Sequence, residues 1–221
     1  MSHTSQINPA EFVERVQPLL ENQDFQGLLK LLRTSWSSDQ IKELLSCKCG
    51  DARKVATLAL GLVGARCCIP SLADQLQDPD PLANQMAEHA LWSIWFRSGC
   101  CEANHQLGKG AQAMERQEMS QAIKHFTRAI EIDPKFAEAY NQRAIAHYLL
   151  EDFDESIADC RRTTDLMPCH FGAWAGMGHC HAHTGRLQQA LKCYQKALSI
   201  NPHLECLVEA CEELMGQDEA E

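Results

Sequence analysis

The run GHCHAHTG at residues 178–185 sets His179, His181 and His183 at alternate positions around Cys180. Imidazole and thiolate are the usual protein ligands of zinc, so the first chemistry to weigh is a metal site. Alternate residues on a helix point about 200° apart, so three histidines at this spacing cannot converge. His179 and His183, four apart, share a face. His181 points to the opposite side, and Cys180 falls on a packing position. The exposed pair predicts polar contacts with a ligand and a charge that grows as pH drops below about 6.5. It binds metal only if a third ligand joins it.

The chain holds twelve cysteines, including Cys47-x-Cys49 and the vicinal pairs Cys67-Cys68 and Cys100-Cys101, and no C-x-x-C. Vicinal cysteines seldom bridge each other, because the geometry strains the chain. The N-terminal MSHTSQINPAEF has neither the apolar core nor the basic flank of a signal peptide, so the thiols are expected to be reduced. Cys101 and His105 lie four apart, but two ligands fall short of a structural zinc. Convergence of Cys47, Cys49, Cys67 and Cys68 would make a thiol- or metal-responsive sensor, which stands as an alternative function. The catalytic signatures G-x-S-x-G, H-E-x-x-H, G-x-x-x-x-G-K and G-x-G-x-x-G are absent. The expectation is no enzyme, no catalytic residue, no metal and no cofactor.

The elements that position these residues are helical. Apolar residues make up 45% of the chain and aromatics only 6%, which favours helix over sheet. The net charge is −10, and residues 101–221 carry 19 acids against 11 bases. With no basic stripe, nucleic-acid binding is not expected. No apolar run nears the roughly 20 residues that a bilayer needs, so a cytoplasmic, non-membrane protein is expected.

A period of 34 residues organises the second half. Pro134, Pro168 and Pro202 hold it, as do the columns Gly110/Ala144/Gly178, Ala122/Ser156/Ala190, Phe126/Cys160/Tyr194 and Ala129/Thr163/Ala197. Small residues let paired helices approach, and each proline closes the second helix of its pair. The pattern predicts helices near 103–115, 119–132, 137–150, 153–166, 171–184 and 187–200. Residues 204–215 predict a capping helix with Leu204, Leu207, Val208, Cys211 and Leu214 on its apolar face, followed by an acidic tail.

These columns, with Trp174, Met177, Gly178, His181, Ala190, Tyr194 and Pro202 in the third unit, resemble the tetratricopeptide repeat family. Upstream, DARKVATLAL (51–60) and LANQMAEHAL (82–91) align Ala56, Ala59 and Leu60 with Ala87, Ala90 and Leu91. They resemble HEAT-like repeats of the short bacterial type. Asn8-Pro9 predicts a helix start, and Pro18 predicts a kink or end of that helix. The resemblances imply an all-α superhelix, a continuous helical-repeat solenoid. A HEAT-like region (1–100) would lead into a tetratricopeptide domain (101–221) with units 103–136, 137–170 and 171–204. Trp92, Trp95 and Phe96 are expected to fill the joint.

The same resemblance implies a concave groove lined by the first helix of each unit. Its candidate peptide contacts are Met114, Glu115, Glu138, Asn141, Ile145, Tyr148, His179 and His183. Family members that bind heat-shock protein tails use a clamp of lysines, arginine and asparagines for the terminal carboxylate. Leu107, Ala111, Gln142, Gly172 and Gly176 stand at those positions here, so no heat-shock tail is expected. The implied function is a non-enzymatic protein–protein adaptor or scaffold with a protein or peptide ligand. HEAT-like bilin lyases supply a second alternative, an enzyme that attaches chromophores.

Overall fold

The computed structural model describes residues 7–218, whose secondary structure is helical throughout. The chain divides into two compact units, one ending at Trp95 and the other beginning at Phe96. Among the described residues, no helix is long and apolar enough to cross a membrane.

The first unit contains α1 (Pro9–Glu21), α2 (Phe25–Ser35), α3 (Ser38–Glu43), α4 (Gly50–Val63), α5 (Ile69–Asp74) and α6 (Pro81–Phe96). Asn8 starts α1 as expected, its side chain accepting from the Ala10 N–H at 3.0 Å. Pro18 neither ends nor replaces the last turn, for α1 runs through it to Glu21. The Pro18 carbonyl is instead used by Asn22, whose side chain donates to it at 2.8 Å and caps the helix one turn later. Phe12, Val16, Leu28, Leu32, Ile41 and Leu60 are fully buried and form the core. Arg53 ties the α4 start to the loop before α6 through Asp78, at 2.7 Å. That carboxylate holds the guanidinium above its ordinary range, and the pairing lowers Asp78 in turn. Gly61 of α4 sits against Ala90 of α6, and the Ser93 hydroxyl donates to the Gly61 carbonyl at 2.9 Å.

The second unit is three helix pairs and a cap. The helices are α7 (Cys101–Glu115), α8 (Met119–Ile132), α9 (Ala137–Leu149), α10 (Phe153–Leu166), α11 (Phe171–His183), α12 (Leu187–Ile200) and α13 (Glu205–Asp218). Each sits within two residues of its expected place, except that α13 continues past 215. Each pair turns on one residue at positive φ: Gln117 (61°), Glu151 (63°) and Gly185 (72°), again 34 apart. The repeat therefore extends to a backbone conformation that its residue types do not share.

The small-residue column sets how closely each pair packs. Gly110 abuts the Phe126 ring and Gly178 the Tyr194 ring, and a Cβ at either would run into it. Ala144 takes this place in the middle pair, where Cys160 replaces the aromatic. A larger residue is allowed there because its partner is smaller. Arg143 links neighbouring pairs, binding both Asp159 oxygens (2.7 and 2.8 Å) and the Thr127 hydroxyl (3.0 Å). On α13, Leu207 and Cys211 are buried as expected, but Val208 is 39% exposed and does not join the apolar face.

Candidate functional site

A cavity of about 230 Å³ lies between α9 and α11 in the second unit. Asn141, Ile145 and Tyr148 line it from α9, and Gly172, Ala175, Gly176 and His179 from α11. Its floor is Ala144, Ser156 and Cys160. The cavity exists because the repeat is imperfect: Cys160 stands where Phe126 and Tyr194 fill the neighbouring pairs. Gly172 and Gly176, one turn apart, carry no side chain, so the α11 wall is built of Ala175 and His179.

Four of the eight expected contacts, Asn141, Ile145, Tyr148 and His179, line this cavity. His183 joins from its rim, with its Nε2 2.8 Å from the Tyr148 hydroxyl and its ring stacked on Phe153 at 5.3 Å. Met114 is half-buried against the core of the first pair, and Glu115 is exposed at the end of α7. Neither lines the cavity. Glu138 is corrected more sharply: it is 1% exposed and is no groove surface at all. Its carboxylate accepts from Gln142 Nε2 (2.7 Å), Asn141 Nδ2 (3.2 Å) and His170 Nε2 (2.9 Å).

His170, itself fully buried, was not among the expected residues. Its Nδ1 accepts from the Ala173 N–H at 3.1 Å and so caps α11. That fixes the proton on Nε2, which donates to Glu138. Three donors thus converge on one buried carboxylate. Nothing in the 34-residue pattern marks His170, because it sits between Pro168 and the helix.

The opening histidines separate as expected in one respect and not in another. His181 is 4% exposed and Cys180 is fully buried. His179, expected to be exposed, is half-buried, with its Nδ1 2.8 Å from the Tyr194 hydroxyl. Burial first, and then His183, hold His179 below the ordinary imidazole range, so it is neutral at pH 7. Burial also lifts the Tyr148 phenol and pushes Tyr194 up to about 12, keeping both protonated. Burial raises the Cys160 and Cys180 thiols likewise, and the Cys180 thiol donates to Ser156 at 3.2 Å. These are packing thiols rather than nucleophiles.

The cysteines stand as thiols rather than disulfides among the described residues. Cys67 and Cys68 hold their sulfurs 4.0 Å apart. Among the described residues, no three His, Cys, Asp or Glu side chains converge in a way that could hold a metal.

Paired helices stacked at a fixed step, with their first helices side by side along one face, define a helical-repeat protein of the α–α superhelix class. Residues 172–204 match the tetratricopeptide repeat family, and residues 110–151 match its TPR repeat model. Residues 110–151 and 172–204 of the second unit thus carry tetratricopeptide repeats. A TPR repeat-containing protein of Rhizobium etli is 29% identical over 126 residues, 57% of this chain and 61% of that one. Anaphase-promoting complex subunit 3 of Schizosaccharomyces pombe is 36% identical over 93 residues, 42% of this chain and 14% of that one. The chain thus spans less than two thirds of the length of these relatives.

Among solved structures, the first TPR domain of Spaghetti (RPAP3) bound to the HSP90 peptide SRMEEVD superposes with a TM-score of 0.52. The identity is 22%, covering 54% of this chain and 94% of that one. The Sgt2 TPR domain of Aspergillus fumigatus gives 0.52 at 22% identity, covering 55% and 82%. These likenesses establish the fold.

Proposed function

We propose that this protein is a non-enzymatic adaptor that holds a peptide or helix of a partner in the groove of its second unit. The observation that carries this reading is the cavity between α9 and α11. It has apolar walls, and beside it Ile145 (37%) and Leu149 (53%) are exposed on the same helix. An open apolar cleft with a few fixed polar groups is the usual form of a peptide site. Co-purification of partners with the wild type and with the Tyr148→Ala, His183→Ala double variant tests it. Partners should be lost from the variant; an unchanged set would remove the groove from the interaction.

We propose further that the groove does not take acidic heat-shock tails. Leu107 is buried, Gln142 is committed to Glu138, and Gly172 and Gly176 carry no side chain, so a terminal carboxylate would find no charge-assisted donor at these positions. Titration with SRMEEVD should give no saturable binding, and saturable binding would overturn the exclusion. For the first unit we propose the HEAT-like reading, supported by the close packing of α4 on α6 at Gly61 and Ala90.

A further inference from the structure

The three helix pairs turn at equivalent places, and the turns differ in what they display. Residues 115–121 (ERQEMSQ), 149–155 (LLEDFDE) and 183–189 (HTGRLQQ) occupy the same columns of the 34-residue step. The first stretch sets Glu115 and Glu118 against Arg116, and the third has Arg186 and no acid. The middle stretch has Glu151, Asp152, Asp154 and Glu155 and neither lysine nor arginine. It also has Leu149 and Leu150, 53% and 43% exposed, one turn beyond the exposed Ile145 of α9.

Helix formation does not account for this charge. Acids in a first turn favour a helix, but α8 and α12 begin without any, whereas α10 begins with Asp154 and Glu155. Nor is the charge fully matched nearby. Arg186 pairs with Asp154 at 3.1 Å, and His147 lies 3.5 Å from Asp152. Among the described residues, Glu151 and Glu155 form no ion pair. Between the acids, Phe153 packs on Tyr148, with ring centroids 5.7 Å apart, so the turn adjoins the cavity that Tyr148 lines.

Two exposed leucines among acids place two demands on whatever covers them. Apolar side chains must meet Leu149 and Leu150. Cations must face the acids at the edge, where they stay in water and no charge is buried. An acidic segment, a nucleic acid or an anionic bilayer would be repelled. A small polycation without apolar groups would leave the leucines bare.

Resting on the groove reading above, we propose that the α9–α10 turn is a docking surface for a basic segment of a partner protein. Apolar side chains of that segment cover Leu149 and Leu150, and its lysines or arginines face Glu151 and Glu155.

The test uses the full chain. A display library of random peptides is selected on the wild type, and affinities and association rates of the resynthesised peptides are measured at low salt. One variant carries Leu149→Ser and Leu150→Ser. A second carries Glu151→Gln, Asp152→Asn and Glu155→Gln. A third, with the same change of charge on exposed residues of α13, carries Glu209→Gln, Glu212→Gln and Glu213→Gln. Circular dichroism checks the fold of each variant.

The selected peptides should combine apolar residues with lysine or arginine. The serine variant and the neutralised turn should each weaken binding about tenfold, the latter mainly through slower association. The α13 variant should stay within about twofold. Equal weakening by the turn and α13 neutralisations would assign the attraction to net charge and overturn the docking surface. Peptides without basic residues, or indifferent to both turn variants, that are still lost with Tyr148→Ala, His183→Ala would overturn the docking surface and leave the groove reading standing. No selected peptide, or peptides indifferent to every one of these variants, would overturn both.

Discussion

At the scale of single residues, the cavity between α9 and α11 is backed by groups that are buried rather than displayed. Glu138 never reaches the surface, yet it decides which way Asn141 faces. His181 shows a second effect of burial. Its Nδ1 is sealed without a hydrogen bond, and burial holds its pKa below the ordinary 6.5, with Arg186 and Arg161 adding and Asp154 opposing. The unfolded chain therefore takes up a proton near pH 6.5 that the folded chain refuses. Stability from this group is complete above that pH and falls as pH drops through it toward the folded value. His179 acts in the same sense. The melting temperature should be level from about pH 7 to 8 and decline below about 6.5. His181→Leu should decline less steeply; an equal slope in the variant would show that His181 does not contribute. His181 on the buried side was legible from the helical period. The half-burial of His179 was not, because Tyr194 approaches it from the next helix.

At the scale of elements, the governing quantity is the volume shared by the two helices of a pair. Gly110 with Phe126 and Gly178 with Tyr194 are one solution; Ala144 with Cys160 is another, and it leaves the cavity. A Cys160→Phe change alone should clash with Ala144 and cost about 1–3 kcal/mol. Ala144→Gly should restore the packing, so that the double variant recovers much of that loss and has no cavity. Chemical denaturation of the wild type, both single variants and the double variant closes the cycle. Additive losses would show that the two positions do not share space. Both columns were visible in the sequence, and Cys160 was their visible exception. That this exception opens toward the groove depends on Gly172 and Gly176 of α11, which belong to a different repeat position.

At the scale of the whole molecule, charge is the main factor. Thirty acids against twenty bases give a field that attracts basic partners and repels acidic ones. Binding of a basic peptide should weaken as salt is raised, chiefly through slower association, because the Debye length shrinks to about 8 Å at 0.15 M. Stopped-flow association at low and high ionic strength measures this. An on-rate indifferent to salt would confine the recognition to the cavity itself.

The sequence by itself determined the helical class, the 34-residue step, the helix limits of the second unit and the face on which each histidine lies. These are local or periodic properties: helix geometry, proline stops and the alternation of small and large residues. The tertiary structure decided what the period cannot carry. It buried Glu138 under the groove, brought His170 to it across 32 residues, and turned a missing aromatic at Cys160 into a cavity. It also carried α1 through Pro18 and turned Val208 outward. Each of these outcomes depends on which side chains from other helices occupy the same space, and spacing along one chain holds no record of that.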